Sequence, residues 1–263
     1  MPTASMEHIT VTVEDRVALV TLTHRPVNAL NRDVLTELAT ALDGLAHDAN
    51  IKVVIVTGAG SLAFCAGADL KAVSELKSAE EAEALATLGQ DVFLKLQQFA
   101  KPVIAAINGV CLGGGLELAM ACHLRVSGDR ARFGQPEVSL GIIPGWGGTQ
   151  RLPRLIGKAK ATEWILTGDV MSAQDAGRLG VVNHVVPQDQ VLKVARDLAR
   201  KLAAKSAVAL REALRAIEQG SNLPLEEGLR LEVACFRHVA ASEDSREGIR
   251  AFLEKRQPQF HDR

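Results

Sequence analysis

Two short apolar runs, 53–56 and 103–107, are each followed by a cluster of small residues and then by a helical pattern. Runs of this length that are rich in valine, isoleucine and alanine are typical of buried strands. Strands that alternate with helices indicate an α/β architecture, and the loops at the strand ends are then available for a binding site. We therefore expect an α/β core whose functional residues lie in the loops after these strands.

The segments before and between these runs fit the same architecture. Alternating apolar residues over 9–13 and 17–23 predict a hairpin. Asn31 is the predicted N-cap of a helix that extends to His47. A second helix is expected to end before Pro102, because proline cannot continue a helix.

From about residue 189 the pattern changes to helices alone. Four are predicted, over 189–204, 206–219, 224–240 and 243–256. We expect two regions, a core of residues 1–188 that carries the site and a helical region of residues 189–263. The third of these helices has an apolar stripe, for which a core face is the first interpretation and a subunit contact the alternative. The stripe consists of Leu225, Leu229, Val233 and Phe236.

Composition excludes several classes of protein. A chain of 263 residues that is 47% apolar can bury a large core, and a net charge of -1 provides no general attraction for nucleic acid or an anionic membrane. The four cysteines show no zinc-site spacing, and we expect reduced thiols. No secretory signal is apparent in residues 1–15, which favours the cytoplasm. Metal-ligand, P-loop and serine-nucleophile motifs are missing from the sequence, so we expect no metal site.

Two stretches, 108–117 and 133–137, each end in a glutamate after small or backbone-shaping residues. Such a setting can hold an acid partly desolvated, and two converging carboxyl groups can move protons. Each glutamate also has a structural interpretation, since Glu117 could be an acid favoured by a helix dipole and Glu137 could cap a turn. Their separation of twenty residues means that only tertiary folding could bring them together.

Two clusters of small residues, 66–68 and 113–115, follow the two buried strands. Turns and helix N-termini leave N–H groups unpaired, so these clusters could present two donors to one oxygen, as an enolate-forming thioester requires. Ordinary turn geometry is the alternative for each cluster alone. A third glycine-rich turn, 140–151, enters a helix that is predicted to continue through Leu155, and its backbone N–H groups could hold a water molecule.

Together, the motifs at 63–71, 108–118 and 133–152 resemble the crotonase family, specifically enoyl-CoA hydratases. The resemblance extends from the turn at 25–30 to the segment 242–256. It implies a spiral of repeated β-β-α units with a C-terminal helical trimerisation region. It also implies a homo-oligomer, either a trimer or a hexamer built as a dimer of trimers.

The same resemblance implies the roles of five residues. Ala68 and Gly114 occupy the two oxyanion-hole positions, and Gly145 helps to orient water. Glu117 corresponds to the base that takes a proton from water, and Glu137 to the acid that protonates C2. The implied enzyme is a carbon–oxygen lyase that hydrates trans-2-enoyl-CoA to 3-hydroxyacyl-CoA, in fatty-acid β-oxidation or related acyl-CoA catabolism. Coenzyme A enters as part of the substrate, with no separate cofactor, metal, membrane or nucleic-acid partner.

Contacts to coenzyme A or to the acyl chain are implied for twelve positions. They are Val27, Ala29, Leu30, Ala66, Gly67, Asp69, Leu70, Lys71, Pro144, Trp146, Phe252 and Lys255. The last two would reach across from a neighbouring subunit. Many relatives carry a lysine where this chain has Val27, so one phosphate contact is expected to be missing or supplied elsewhere. Trp146 stands where many hydratases have a small residue, and packing under the turn is favoured over narrowing of the acyl pocket.

Two alternatives remain open from the sequence. One is a Δ3,Δ2-enoyl-CoA isomerase, which can work with a single carboxylate. The other is an RNA-binding or scaffolding relative, for which the only support is a local basic cluster. That cluster consists of Arg151, Arg154, Lys158 and Lys160.

Overall fold

The computed structural model describes residues 6–263. Residues 1–5, which belong to the segment considered for a secretory signal, lie outside the described residues. The strands are β1 (Ile9–Glu14), β2 (Val17–Leu22), β3 (Val53–Gly58), β4 (Ala63–Cys65), β5 (Val103–Ile107), β6 (Val110–Leu112), β7 (Leu124–Gly128), β8 (Arg132–Gly134), β9 (Val170–Ser172) and β10 (His184–Val186). The helices are α1 (Arg32–His47), α2 (Leu70–Ser74), α3 (Ala79–Gln97), α4 (Gly114–Ala121), α5 (Gly148–Ile156), α6 (Lys158–Thr167), α7 (Ala173–Arg178), α8 (Val191–Ala203), α9 (Ala207–Gly220), α10 (Leu225–Ala240) and α11 (Glu243–Leu253). Short 3-10 helices occupy Pro136–Leu140 and Gln188–Gln190.

The strands form two sheets that the chain visits in turn. One sheet has the order β1-β2-β3-β5-β7-β10, and the other has the order β4-β6-β8-β9. Strands β3, β5 and β7 add parallel to the first sheet, while β4, β6 and β8 add parallel to the second. Each β-β-α turn therefore places one strand in each sheet before a helix returns the chain, which confirms the predicted α/β spiral.

Local signals account for the first elements. The Asn31 side chain accepts a hydrogen bond from the Val34 N–H at 2.9 Å, which caps α1 as predicted. The predicted hairpin is confirmed by antiparallel pairing of β1 with β2, and β5 begins and ends at the predicted residues. Every residue of β3 and β5 is buried, because the sheet is covered on both faces.

Helix α8 lies after the predicted boundary at 188/189 but packs on the larger sheet. Its buried residues Val191, Ala195 and Ala199 form one apolar cluster with strand residues that include Ile55 and Ile104. The opposite face of that sheet packs with α1, α3 and the second sheet. The division of the chain into 1–188 and 189–263 stays a prediction, and α8 shows that part of the helical region stabilises the core.

The four C-terminal helices are confirmed, but the interpretation of the stripe on α10 as a core face is wrong. Leu225, Leu229, Val233 and Phe236 are 78%, 51%, 69% and 71% exposed. Helix α10 instead packs on α9 through its other side, where a Cβ at Gly228 would lie 3.0 Å from the Gly220 carbonyl oxygen. Periodicity identifies an apolar face but not the surface that covers it.

Within residues 6–263, no helix combines the length and the apolar character needed to cross a bilayer.

Candidate active site

A cleft of about 320 Å³ lies between α2, α3, α4 and the segment 136–146. All five residues with implied catalytic roles line it, namely Ala68, Gly114, Glu117, Glu137 and Gly145. The remaining lining is mostly leucine, isoleucine, valine and alanine. Tertiary folding thus brings the two glutamates to one apolar cleft, which sequence spacing alone could not establish.

The backbone N–H groups of Ala68 and Gly114 lie next to each other in this cleft. Ala68 pairs with Leu30 in a parallel bridge, in which Gly67 O and Asp69 N carry the hydrogen bonds, each 2.8 Å long. The N–H of Ala68 therefore points away from Leu30, since alternate groups of an extended chain face opposite sides. Gly114 is the first residue of α4, and its N–H has no acceptor within the helix.

Two distances place these N–H groups together. A Cβ on Gly114 would lie 3.5 Å from the Ala68 nitrogen, and a Cβ on Gly67 would lie 3.5 Å from the Gly114 nitrogen. Neither N–H donates a hydrogen bond to another group in the part of the chain that the structure describes. The pair is thus free to bind one oxygen of a ligand.

Position 113 must be glycine because the Glu137 side chain approaches it closely. Its φ of 52° is in the left-handed region, and a Cβ there would lie only 2.9 Å from Glu137 Oε1. Its own N–H donates to the Gly134 carbonyl at 2.9 Å, which fixes the turn between β6 and α4. Because residue 113 is glycine, the Glu137 carboxyl group can lie directly beside the N-terminus of α4, the helix that carries Glu117.

Glu117 is 1% exposed, and one of its oxygens is held by backbone donors. Glu117 Oε1 accepts from the N–H groups of Trp146, at 2.8 Å, and Gly148, at 2.6 Å. Gly148 begins α5, so the carboxyl group lies at the N-terminus of α5 while it also occupies the first turn of α4. Both helix dipoles favour the ionised form.

Burial nevertheless dominates the ionisation of Glu117. Desolvation raises its pKa to about 7, and the nearby negative charge of Glu137 adds to the rise. The two N–H donors and the positive charge of Arg151 oppose it. At neutral pH this carboxyl group can therefore both accept and release a proton, as general acid–base catalysis requires.

Glu137 lies in the 3-10 helix at Pro136–Leu140 and is less buried. Desolvation raises its pKa as well, against the lowering effect of its own backbone N–H. The side-chain amide of Gln135, fully buried, lies beside Glu137: with its nitrogen turned toward the carboxyl group, it would donate at 3.0 Å to Oε1 and at 3.2 Å to Oε2. Burial thus raises the pKa of both carboxyl groups, which favours a single shared proton in the cleft over two ionised groups.

Trp146 both packs under the turn and forms part of the cleft wall. Its indole N–H donates to the Leu85 carbonyl at 3.2 Å, and its ring meets Phe93 edge-on at 5.9 Å. The ring lies against Gly114, where a Cβ would overlap it. Trp146 thus closes the cleft next to one of the two N–H donors.

The residues predicted to contact coenzyme A divide into groups by position. Ala66, Gly67 and Leu70 line the cleft. Val27 and Ala29 are partly buried in the turn at 25–30, and the Val27 carbonyl accepts from the Ala66 N–H at 3.1 Å. Ala66, Gly67 and Leu70 therefore border the space that a ligand in the cleft would occupy, and Val27 adjoins them through its hydrogen bond with Ala66.

Other predicted contacts support the loop instead. Leu30 is 1% exposed and uses both backbone groups to hold Gly67 and Asp69. The Asp69 side chain caps α2, and Pro144 is buried outside the cleft lining.

Three predicted contacts are exposed. Lys71 extends from α2. Phe252, which is 82% exposed, and Lys255 lie on or just after α11 and do not line the cleft of their own chain.

Sequence reasoning missed several residues that shape the site. Gln135 stands in the same motif as Glu137, and a glutamine that is 0% exposed needs hydrogen-bond partners. Gln90 on α3 donates to the Gly145 carbonyl at 2.8 Å, a contact across 55 residues that no local pattern indicates.

Comparison with known proteins gives a consistent result. The family model described as Enoyl-CoA hydratase/isomerase matches residues 12–263. The crotonyl-CoA hydratase of Syntrophomonas wolfei is 41% identical over 97% of this chain and 98% of its own length. The 2,3-dehydroadipyl-CoA hydratase of Escherichia coli is 44% identical over 98% of this chain and 100% of its own length.

Solved structures agree with this result. A crystal structure of enoyl-CoA hydratase from Bacillus anthracis superposes with a TM-score of 0.95 at 40% identity, covering 98% of this chain and 100% of that one. The resemblance stated from the motifs is confirmed: the chain belongs to the enoyl-CoA hydratase/isomerase family, the crotonase family.

Proposed function

We propose that this protein is an enoyl-CoA hydratase that adds water across the double bond of trans-2-enoyl-CoA thioesters to give 3-hydroxyacyl-CoA. The observation that carries the proposal is the presence of two carboxyl groups, Glu117 and Glu137, in one apolar cleft beside two unpaired N–H groups. The hydratase names of the relatives agree with it.

The two N–H groups stabilise the charge that develops during the reaction. The thioester oxygen binds to the N–H groups of Ala68 and Gly114, and these donors bind more tightly as the oxygen becomes an enolate. The apolar lining strengthens the interaction because few other dipoles compete. The loss of one such donor typically costs about 3 kcal/mol of transition-state stabilisation.

The two carboxyl groups divide the proton transfers. Glu117, with Oε1 held by Trp146 and Gly148, takes a proton from a water that Gly145 helps to orient. The hydroxyl of that water bonds to C3, and Glu137 delivers a proton to C2. Each turnover therefore moves one proton onto Glu117 and one off Glu137.

The burial of Glu117 and Glu137 affects how protons move during the catalytic cycle. Hydration begins with Glu117 ionised and Glu137 neutral, and it ends with the reverse. Because burial raises the pKa of both groups, each of them can hold a proton at its own stage of the cycle. One proton must then pass from Glu117 to Glu137, directly or through solvent, before or as the next substrate binds.

The two alternatives are less well supported. An isomerase needs only one carboxylate, whereas this cleft keeps two. The basic cluster considered for RNA binding does not form one surface, since Arg151 turns inward to the Trp146 carbonyl and Lys160 pairs with Glu163 at 2.7 Å.

We also propose that the chain forms a homo-oligomer, a trimer or a dimer of trimers. Helix α11 exposes apolar side chains as the stripe on α10 does, with Ile249, Phe252 and Leu253 at 62%, 82% and 74% exposed. Apolar patches of this kind mark interaction surfaces. A neighbouring copy that covers them could bring Phe252 and Lys255 to the cleft.

The oligomer is tested by light scattering on the purified protein. We expect a mass of three or six times the 28.1 kDa chain, and a smaller mass for Val233→Asp combined with Phe236→Asp, because two buried charges would oppose the contact. Leu166→Asp, which alters an exposed leucine on α6, is the matched control and should leave the mass unchanged. A monomeric wild-type protein would contradict the proposal.

The proposed proton transfers need only the two carboxyl groups, so coenzyme A takes part as a portion of the substrate and no separate cofactor is required. We place the reaction in the cytoplasm, in fatty-acid β-oxidation or related acyl-CoA catabolism.

Crotonyl-CoA tests the activity directly. Purified protein should consume it with loss of the conjugated thioester absorbance, because hydration removes the double bond. Butyryl-CoA, which has no double bond, serves as the control and should give no change. A preparation that leaves crotonyl-CoA intact, under conditions in which a known hydratase acts, would refute the hydratase function, and a gain of absorbance with 3-enoyl-CoA would favour the isomerase.

A further inference from the structure

The side chain of Arg151, in the first turn of α5, points into the protein rather than into solvent. Its Nη1 donates to the Trp146 carbonyl at 2.9 Å, and its Nε donates to Gln97 Oε1 at 3.0 Å. Gln97 in turn donates to Glu218 Oε2 on α9 at 3.0 Å. By contrast, Arg154 lies one turn further along α5, is exposed, and donates to the Gln150 carbonyl.

The carbonyl that Arg151 holds belongs to the segment that binds Glu117. In residues 146–148, two N–H groups face Glu117 while the Trp146 carbonyl faces Arg151. Gly147 has a φ of 111°, and a Cβ on it would overlap Nη1 of Arg151. The backbone conformation of this segment therefore depends on glycine at position 147. The absence of a side chain there also leaves room for the Arg151 guanidinium.

We propose that Arg151 is a positioning residue for Glu117: it fixes the Trp146 carbonyl on one side of the turn and so keeps the Trp146 and Gly148 N–H groups directed at the carboxyl group on the other. The inference rests on the proposed function, in which Glu117 is the base. Gln97 holds the guanidinium from α3 and links it to Glu218.

The charges around the pair indicate a second effect of Arg151. Glu117 faces Glu137 across the cleft and Arg151 from α5. Arg151 faces Glu117, Glu218 on α9, the Cys122 thiol on α4 and Arg154 on its own helix. The guanidinium charge favours ionised Glu117, so its removal is expected to raise the pKa of Glu117 further.

Arg151→Met removes both the donor and the charge at similar length. We expect it to lower kcat for crotonyl-CoA by about 10²-fold with little change in KM, because the base is misplaced while the substrate contacts remain. Arg151→Lys keeps a charge and one donor, and should recover part of the loss. Arg154→Met, on the same helix and exposed, is the control and should behave as wild type.

A titration distinguishes positioning of Glu117 from a general structural role. The infrared C=O band of the neutral Glu117 carboxyl, identified by its loss in Glu117→Gln, should persist to higher pH in Arg151→Met than in wild type. In Arg151→Lys it should titrate closer to the wild-type midpoint. This measurement needs no turnover, so it tests the inference even if the wild-type protein fails to hydrate crotonyl-CoA and the proposed function falls.

Three results would overturn the inference. They are near-normal kcat in Arg151→Met, an unshifted Glu117 titration in that variant, or equal defects in the lysine and methionine variants. Should Arg151→Met not fold, Gln97→Met removes the partner of Nε and is expected to shift both kcat and the titration in the same directions by smaller amounts. An unshifted titration in Gln97→Met, together with unchanged kcat, would then count against the proposal.

Discussion

Replacement of either Glu117 or Glu137 by glutamine is expected to lower kcat for crotonyl-CoA hydration by about 10²- to 10⁴-fold, the range typical of a lost general acid or base. Glutamine keeps the shape of the side chain but cannot exchange a proton. In Glu117→Gln the amide oxygen can still accept from the N–H groups of Trp146 and Gly148, so the backbone around the site should keep its conformation.

The comparison of kcat with binding makes this result specific. Binding of coenzyme A, measured by calorimetry, should change little in either variant, because the residues proposed to make that contact lie at 25–30 and 66–71. Glu163→Gln, on the exposed side of α6, is the control for a charge removed outside the cleft. Near-normal turnover in either cleft variant would refute the role assigned to that residue.

The double variant adds a further constraint. If the two carboxyl groups act in one concerted addition, the loss in the double variant should be well below the product of the two single losses. Fully multiplicative losses would instead indicate that the two groups act in separate steps. The comparison of the single variants with the double variant therefore tests whether the two proton transfers occur in one step.

The sequence predicted the elements with strong local signals. Asn31 caps α1 because its side chain binds a nearby backbone N–H, and this interaction spans only three residues. The two buried strands were identified from their own residues, since β3 and β5 are apolar on both faces. Family motifs added the spiral arrangement, which short-range patterns do not contain.

Features that depend on distant contacts were not accessible in this way. The stripe on α10 has the same periodicity whether it faces a core or another subunit, and only the packing of α9 on its other side settled which face is exposed. Similarly, Arg151 was grouped with its basic sequence neighbours. Its inward direction depends on Gln97, 54 residues away, and on the glycine at 147.

In the candidate site, too, the sequence predicted the residues but not their packing. The motifs supplied Glu117 and Glu137, but not their unequal burial. Glu117 is buried because it lies between the N-termini of α4 and α5, whose sequences are separated by the whole of β7 and β8. As a result, the prediction gave the pair of acids, while the burial that raises the pKa of each came from the fold.

That burial leads to a second large effect, on stability rather than turnover. Glu117→Gln is expected to stabilise the protein at pH 8 while having little effect at pH 4. The pKa of Glu117 rises from 4.5 to about 7 on folding, so between these values the folded protein binds a proton that the unfolded chain has released. Stability supplied by the neutral acid is therefore full below pH 4.5 and is lost as the pH rises to about 7.

The size of the effect follows from the shift. Each pKa unit corresponds to about 1.4 kcal/mol, so the buried carboxylate costs on the order of 3 kcal/mol above pH 7. Glutamine carries no charge at any pH and avoids this cost while it retains an acceptor for the two N–H groups. Urea unfolding at one protein concentration, repeated from pH 4 to pH 8, should show a stability difference between variant and wild type that grows across that range.

Glu163→Gln is the control for a carboxyl group outside the cleft. Glu163→Gln removes a carboxyl group that is 56% exposed and should give a small difference without this pH dependence. Equal destabilisation of Glu117→Gln at every pH would mean that Glu117 has the same pKa in the folded and unfolded states, because its hydrogen bonds balance its desolvation. In that case Glu117 would remain ionised in the free protein. The expected gain in stability, joined to a loss of turnover in the same variant, would instead show that the fold keeps a destabilising charge in the cleft because the reaction needs a base there.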